Sequence, residues 1–392
     1  MTYVSGPKTS AELLRDVRAV EDWIEQEFAR RGVIAAAADQ RDMARRLEDV
    51  SLGRNTVMFD DQGNPSVMVR MPSTDLKALQ PSWAEVPHPA FTVNGVRKSE
   101  LWIAKYQAFA VGAGATLRAV SLRRRDPGNN INFDNSLLAC KQKGSGWHLM
   151  TNAEWALLAL WCKSNGYWPR GNNNYGSDVG RSSERAEASY MSDATHVGRT
   201  ATGTGPAAWS HDGSPFGVFD LNGNVWEWVG GMRLNEGEIQ VLQDNNAADN
   251  TKDQTAISAE WKAILQDGSL VAPGTADTLK CDSTVADPAV GNIRVNTNVT
   301  QVVNTSYAYN TFQTTAAIVG VTVPELLKQL ALFPIDADHG NDGHWMRNAG
   351  ERLPIRGGYW YGGSNAGVFS LHLHIDRLYV NTNIGFRPAF VG

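Results

Sequence analysis

Cysteine is nearly absent from this chain: Cys140, Cys162 and Cys281 are the only three in 392 residues. An odd number at wide spacing builds neither a disulfide framework nor a zinc pattern. Cys140 and Cys162 fall in helical stretches and read as small buried hydrophobes. Long apolar runs are missing too; no segment approaches the roughly 20 residues of a membrane-spanning helix, so no membrane insertion is expected. The opening Met1–Pro7 has neither the basic nor the apolar region of a secretory signal. Basic blocks are equally scarce. With a net charge of -5, no nucleic-acid partner is expected, and Arg123–Arg125, beside Asp126-Pro127-Gly128, reads as a solvated loop. What the chain does have is thirteen tryptophans and thirty-seven glycines, large rigid side chains beside many turn positions, which suits a loop-rich fold.

Thr9-Ser10-Ala11-Glu12 is a capping box, and Leu13, Val17, Val20, Ile24 and Phe28 then recur at helical spacing. Residues 35–50 predict a second helix. The period then shortens: 56–59 and 67–69 flank a polar, glycine-containing loop and predict a hairpin. The proline-rich stretch 72–89 reads as a linker and a domain boundary. Beyond it come short strands around Asn94-Gly95, a helix over 135–143, and a second capping box, Thr151–Glu154, whose helix turns Trp155, Leu158, Ala159 and Cys162 to the core. Residues 172–214 predict irregular loop. From about 234 to 348 the composition is polar and insertion-like, with one helix at 323–330, and strand patterning returns from 353 to 391.

Three segments, in order, resemble the formylglycine-generating-enzyme (sulfatase-modifying factor) type of C-type lectin fold: Trp147-His148-Leu149-Met150-Thr151-Asn152-Ala153-Glu154-Trp155; Gly223-Asn224-Val225-Trp226-Glu227-Trp228; and Arg356-Gly357-Gly358-Tyr359-Trp360 with Asn383-Ile384-Gly385-Phe386-Arg387. The resemblance implies an α+β, loop-rich, C-type-lectin-like domain over 91–392, carrying an insertion at about 233–350. The small helical and hairpin region 1–90 would attach or assemble the protein. Trp226 and Trp228, at i and i+2, share one strand face and can anchor a core, while Glu227 between them needs a partner if buried. The resemblance offers calcium as that partner, held by Asp220, the carbonyls of Gly223 and Val225, and Glu227. The other reading is a glutamate bonded to loop amides.

The same resemblance implies an enzyme only where a cysteine pair near the final Arg-Gly-Gly segment holds copper(I), and residues 356–392 contain no cysteine. Related iron-dependent sulfoxide synthases need histidines in an N-terminal domain; here none precedes His88. The expectation is therefore a non-enzyme with no required cofactor. In place of an active site, the segment 356–387 closely resembles the variable region of diversity-generating-retroelement proteins, where adenine-directed mutagenesis acts mainly on AAC codons. Tyr359, Tyr361, Gly362, His372, His374, Ile375, Leu378, Tyr379 and Val380 are all reachable from such codons, whereas Trp360, Leu371, Leu373 and Arg377 look like fixed scaffold. Strand alternation sends Leu371 and Leu373 inward and His372 and His374 outward. The two histidines also have metal-ligand spacing, with Asp376 on the same face if the strand persists.

The expected function is binding of a protein or glycan ligand on a cell surface, from a phage virion or after display by a bacterium, the insertion packing beside the binding face. An altered-chemistry oxidase and a structural virion protein remain the alternatives.

Overall fold

Thr9 caps the first helix as its spacing predicts: its Oγ1 accepts from the Glu12 amide at 3.3 Å, and Glu12 accepts from the Thr9 amide at 2.8 Å. In the computed structural model, which describes residues 8–392, this helix is α1 (Ser10–Arg31) and the next is α2 (Ala37–Ser51). The leader reading at Met1–Pro7 lies outside the described residues. Val17, Ile24 and Phe28 are buried, with Leu13 and Val20 at the edge of the same cluster. The predicted hairpin follows as β1 (Asn55–Phe59) and β2 (Pro65–Pro72), with Asn55 opposite Val69. Its loop is shaped by Asp60, whose carboxylate accepts from the amides of Gln62 and Asn64.

The stretch 72–89 is not a linker. It forms one helical turn, Leu76–Leu79, and buries Leu76, Leu79 and Trp83 in the main core. Three apolar anchors spread among prolines have no period to betray them. After it come β3 (Glu100–Ala104), α3 (Phe133–Lys141), β4 (Trp147–Leu149) and α4 (Asn152–Ser164). Helix α3 starts two residues earlier than predicted because the Asn132 side chain caps it, accepting from the Asn135 amide at 2.9 Å. Thr151 and Glu154 close the second capping box. Residues 172–214 are mostly irregular, with a small hairpin at Ser177–Asp178 and Arg181–Arg185.

The remaining strands are β5 (Trp226–Trp228), β6 (Ala308–Thr311), β7 (Gly343–Met346), β8 (Ile355–Gly357), β9 (Gly367–Leu373), β10 (Ile384–Phe386) and β11 (Pro388–Phe390). One sheet runs β1-β2-β3-β11-β4 and another β6-β7-β9-β8-β5-β10. The first sheet thus crosses the boundary expected at residue 90, because β2 pairs with β3 from Met68–Ala104 to Pro72–Glu100. The polar region between Trp228 and Arg356, expected as an insertion, is ordered and packed into the body. It builds an eight-stranded sheet of short strands whose Ile239, Val241, Ile264, Cys281, Ile293 and Val295 join the main core, and it lends β6 and β7 to the second sheet. Its helix is only Glu325–Gln329. Strands of two to four residues bury too few apolar positions to show a period.

Helix α1 docks through charge as well as apolar surface. Lys105, fully buried, donates to Glu21 at 2.7 Å, to Asn55 Oδ1 at 2.9 Å and to the Pro215 carbonyl at 2.6 Å, while the Tyr106 hydroxyl donates to the other Glu21 oxygen. The basic run expected to be a solvated loop is part of the same dock: Arg123 pairs with Asp22 and Arg125 with Glu25, both on α1, and Arg124 with Glu187. Removing one partner of a buried ion pair strands the other charge. Glu21→Ala is expected to destabilise the protein by about 3–5 kcal/mol in urea unfolding, whereas Lys8→Ala, at the exposed Lys8–Asp16 pair, should be near neutral.

Candidate ligand-binding site

Strand β9 separates scaffold from display by its two-residue period. Leu371 and Leu373 are buried against α4, and His372 and His374 point away from them. They do not stand free, however. Both rings are half-buried, their centroids 3.8 Å apart, and they lie in a pocket of about 260 Å³. His372 is flanked by Trp226 from β5 (centroids 5.3 Å) and Trp345 from β7 (5.6 Å), and Tyr307, just before β6, stacks on His374 at 5.7 Å. Tyr359 stacks on Trp226 at 6.0 Å and completes the wall.

Of the nine residues expected at the surface, Tyr359, His372, His374, Ile375 and Tyr379 line this pocket. Tyr361, Leu378 and Val380 are exposed beside it, and Tyr361 lies edge-on to Tyr359 with centroids 4.1 Å apart and stacks on Tyr175. Gly362 contributes backbone, its amide closing a turn on the Tyr359 carbonyl. Ile375 needs a correction: only 5% exposed, it packs with Leu353, Ile355 and Ile384 and forms apolar wall rather than a displayed side chain. Asp376 needs another. The strand stops at Leu373, and Asp376 turns outward to accept from the Leu378 amide, so it does not extend the histidine face. Among the described residues, no group of three or more histidine, cysteine or acidic side chains could hold a metal ion.

The supports of the site are buried. Gly357 and Gly358 take φ of +92° and +89°, and a Cβ on Gly358 would lie 2.3 Å from the Ala366 methyl, so the chain enters the Tyr359 turn only with glycine there. Trp360 is buried, and its backbone is tied to Asn224 and Tyr175. Arg377 reaches Glu351 at 3.0 Å and Asp134 at 2.6 Å, and its carbonyl accepts from the Phe133 amide. These are the positions read as scaffold. What the sequence did not reveal is that Trp226, Tyr307 and Trp345 belong to the pocket. Trp226 shares its face with Trp228, which reads as core, and Tyr307 and Trp345 sit in the region taken for an insertion; the two tyrosines at i and i+2 in Tyr307-Ala308-Tyr309 were the available signal.

The oxygens grouped as a calcium set do converge, but on a side chain. The buried Gln107 amide nitrogen donates to the carbonyls of Asp220 (3.2 Å), Gly223 (3.4 Å) and Val225 (2.9 Å) and to Glu227 Oε1 (3.0 Å). Its own oxygen accepts from Asn224 at 2.9 Å, which fixes which way the amide faces. Arg387 takes both Glu227 oxygens at 2.8 and 2.9 Å, and the Asp220 carboxylate turns away to the Gly203 amide. With N–H groups at the focus and a guanidinium alongside, this set does not fit calcium. Stripping the donor takes away the two N–H groups that the three buried carbonyls share, while Glu227 keeps Arg387. Gln107→Ala should lower stability by about 1–3 kcal/mol, and millimolar calcium should leave the parent's melting temperature unchanged; a calcium-dependent rise would restore the metal reading.

No charged side chain lines the pocket. Burial pushes His374 down to about 4 and His372 well below the usual imidazole value, so both rings are neutral at pH 7. Burial also holds His88 and His211 at about 4 and His344 at about 3. Each ring binds its proton more weakly folded than unfolded, so the unfolded chain gains protons first as pH falls below 6.5. Stability should therefore drop between pH 6.5 and about 4, read as a falling urea midpoint, and His374→Gln should flatten part of that slope. A second cavity of about 260 Å³, between α3 and residues 247–255, is lined by charged side chains such as Asp134, Lys141 and Lys252 and contains none of the predicted site residues.

Residues 91–262 match the family of the sulfatase-modifying factor enzyme 1-like domain. The fold is accordingly the expected α+β, C-type-lectin-like fold of the formylglycine-generating subtype. The match ends before the pocket-forming segment 356–387. No curated protein matches the chain. Among solved structures, PvdO from Pseudomonas aeruginosa is similar at 14% identity and a TM-score of 0.35, over 86% of this chain and 97% of that one. Treponema denticola variable protein 1 is similar at 12% identity and a TM-score of 0.32, over 86% and 98%.

Proposed function

We propose that this protein binds a ligand non-covalently through the pocket and rim formed by residues 359–380, and that a retroelement diversifies those residues on a constant scaffold. The observation that carries the reading is a division of labour. Tyr359, His372, His374 and Tyr379 surround one uncharged aromatic pocket, with Tyr361, Leu378 and Val380 exposed at its edge. The intervening Trp360, Leu371, Leu373 and Arg377 are buried or ion-paired into the body. Tyrosine is well suited to such a surface, because it offers broad amphipathic contact at small entropic cost. On this reading the ligand lies on a cell surface, and the protein acts from a phage particle or a bacterial envelope.

The same reading makes the chain no enzyme of the formylglycine-generating kind. Copper(I) chemistry calls for accessible thiolates. Residues 356–392 hold no cysteine, and Cys140, Cys162 and Cys281 are all buried, with burial pushing each thiol up, Cys281 to about 12.

The deciding experiment is to sequence the DNA beyond the gene. The expected result is a reverse transcriptase and a near-copy of codons 356–387 that differs mainly where the copy has adenines, at codons such as those for Tyr359, His372 and Tyr379. A gene lacking both, whose siblings vary evenly along the chain, would remove the diversification reading.

A further inference from the structure

The pocket says something about what enters it, and this inference rests on the ligand-binding reading above. Its lining is aromatic, aliphatic and neutral-polar, with no carboxylate or cation. A buried anion would find no counter-charge there. A cation would meet ring faces alone, with no carboxylate to pair it. The occupant is therefore uncharged.

It is not wholly apolar, however. His372 Nδ1, His374 Nδ1 and Asn383 Oδ1 are buried and have no hydrogen-bond partner within the protein. Those three atoms are closed off even from water, so what a guest meets is the rest of the polar lining, from His372, His374, Asn381 and Asn383; a wholly aliphatic guest would strip these groups of water, at a cost that a guest with a polar tip avoids. The space admits one ring system; drug-sized ligands call for about 300–1,000 Å³.

The rim points to what carries that ring. Leu378 is 72% exposed and Val380 48%, beside Tyr361, Tyr379 and Tyr307 at 39–49%. Branched aliphatic side chains offer nothing to sugar hydroxyls, but they suit the charge-depleted centre of a protein interface surrounding an anchor.

We propose that the ligand is a folded protein that inserts one tyrosine or tryptophan side chain into this pocket. The ring packs among Trp226, Trp345 and Tyr359, its hydroxyl or indole N–H meets the polar groups that His372, His374, Asn381 and Asn383 turn to the pocket, and Leu378 and Val380, on the same turn as Tyr379, close around it.

The test uses the full chain and a variant, Tyr379→Ala with His374→Ala, checked for an unchanged fold by circular dichroism. Both are presented to a displayed library of random disulfide-closed peptides and to an array of neutral and acidic glycans. The expected result is a set of peptides that bind the parent, each carrying a tyrosine or tryptophan whose replacement by alanine weakens binding about tenfold or more. The same peptides should bind the variant about tenfold more weakly, and no glycan should distinguish the two proteins. Peptides anchored by a charged residue, or a glycan that binds the parent and not the variant, would overturn the protein-aromatic assignment and leave the ligand-binding reading standing. If neither peptide nor glycan distinguishes parent from variant, the pocket is not a ligand site and both readings fall together.

Discussion

The junction of the two main sheets, and with it a wall of the aromatic pocket, depends on one buried ion pair, Arg387 with Glu227. Arg387 occupies the single position between β10, an edge of the six-stranded sheet, and β11, inside the five-stranded one. Its guanidinium holds both oxygens of Glu227 on β5 and also the carbonyls of Ala104, at the end of β3, and Phe219. One side chain therefore pins the crossing from sheet to sheet. Both partners are out of water, where a charge is tolerable only if paired and hydrogen-bonded. Glu227 in turn fixes the rotation of β5, and with it the direction of Trp226, which forms a wall of the pocket. Gln107 completes the arrangement by gathering the carbonyls of residues 220, 223 and 225.

Helix α1 and the polar region after Trp228 are held by different means. Helix α1 uses its acidic residues 21, 22 and 25 to grip Lys105, Arg123 and Arg125, so it is bolted to the lectin-like body by one buried and two partly exposed ion pairs beside an apolar seam. The polar region after Trp228 is held by many short strands and a shared core. It is this region that delivers Tyr307 and Trp345 to the pocket, so the pocket is assembled from three distant parts of the sequence.

That assembly explains which features could be read in advance. Thr9 and Thr151 announce their helices because a capping box is a local device, complete within four residues. The 55–72 hairpin is similarly local. The need of Glu227 for a partner was legible, since a carboxylate between two tryptophans has few other fates; that the partners are Arg387 and Gln107 was not, for both come from more than 100 residues away. The residues of the last segment were singled out by their resemblance to retroelement variable regions, and several of them line the pocket. Trp226 and Trp345 were missed because an aromatic at strand spacing reads the same whether its far side meets core or cavity.

The turn after β9 separates two kinds of atoms. Its path is set by main-chain bonds, by the Asp376 carboxylate on the Leu378 amide, and by Arg377 locked between Glu351 and Asp134. The side chains of Leu378, Tyr379 and Val380 add almost nothing to that path. Substitutions at such exposed positions usually shift stability by less than about 0.5 kcal/mol. Changing them would alter the exposed surface while the folding free energy stays nearly level, so these three positions can differ without first putting the fold at risk.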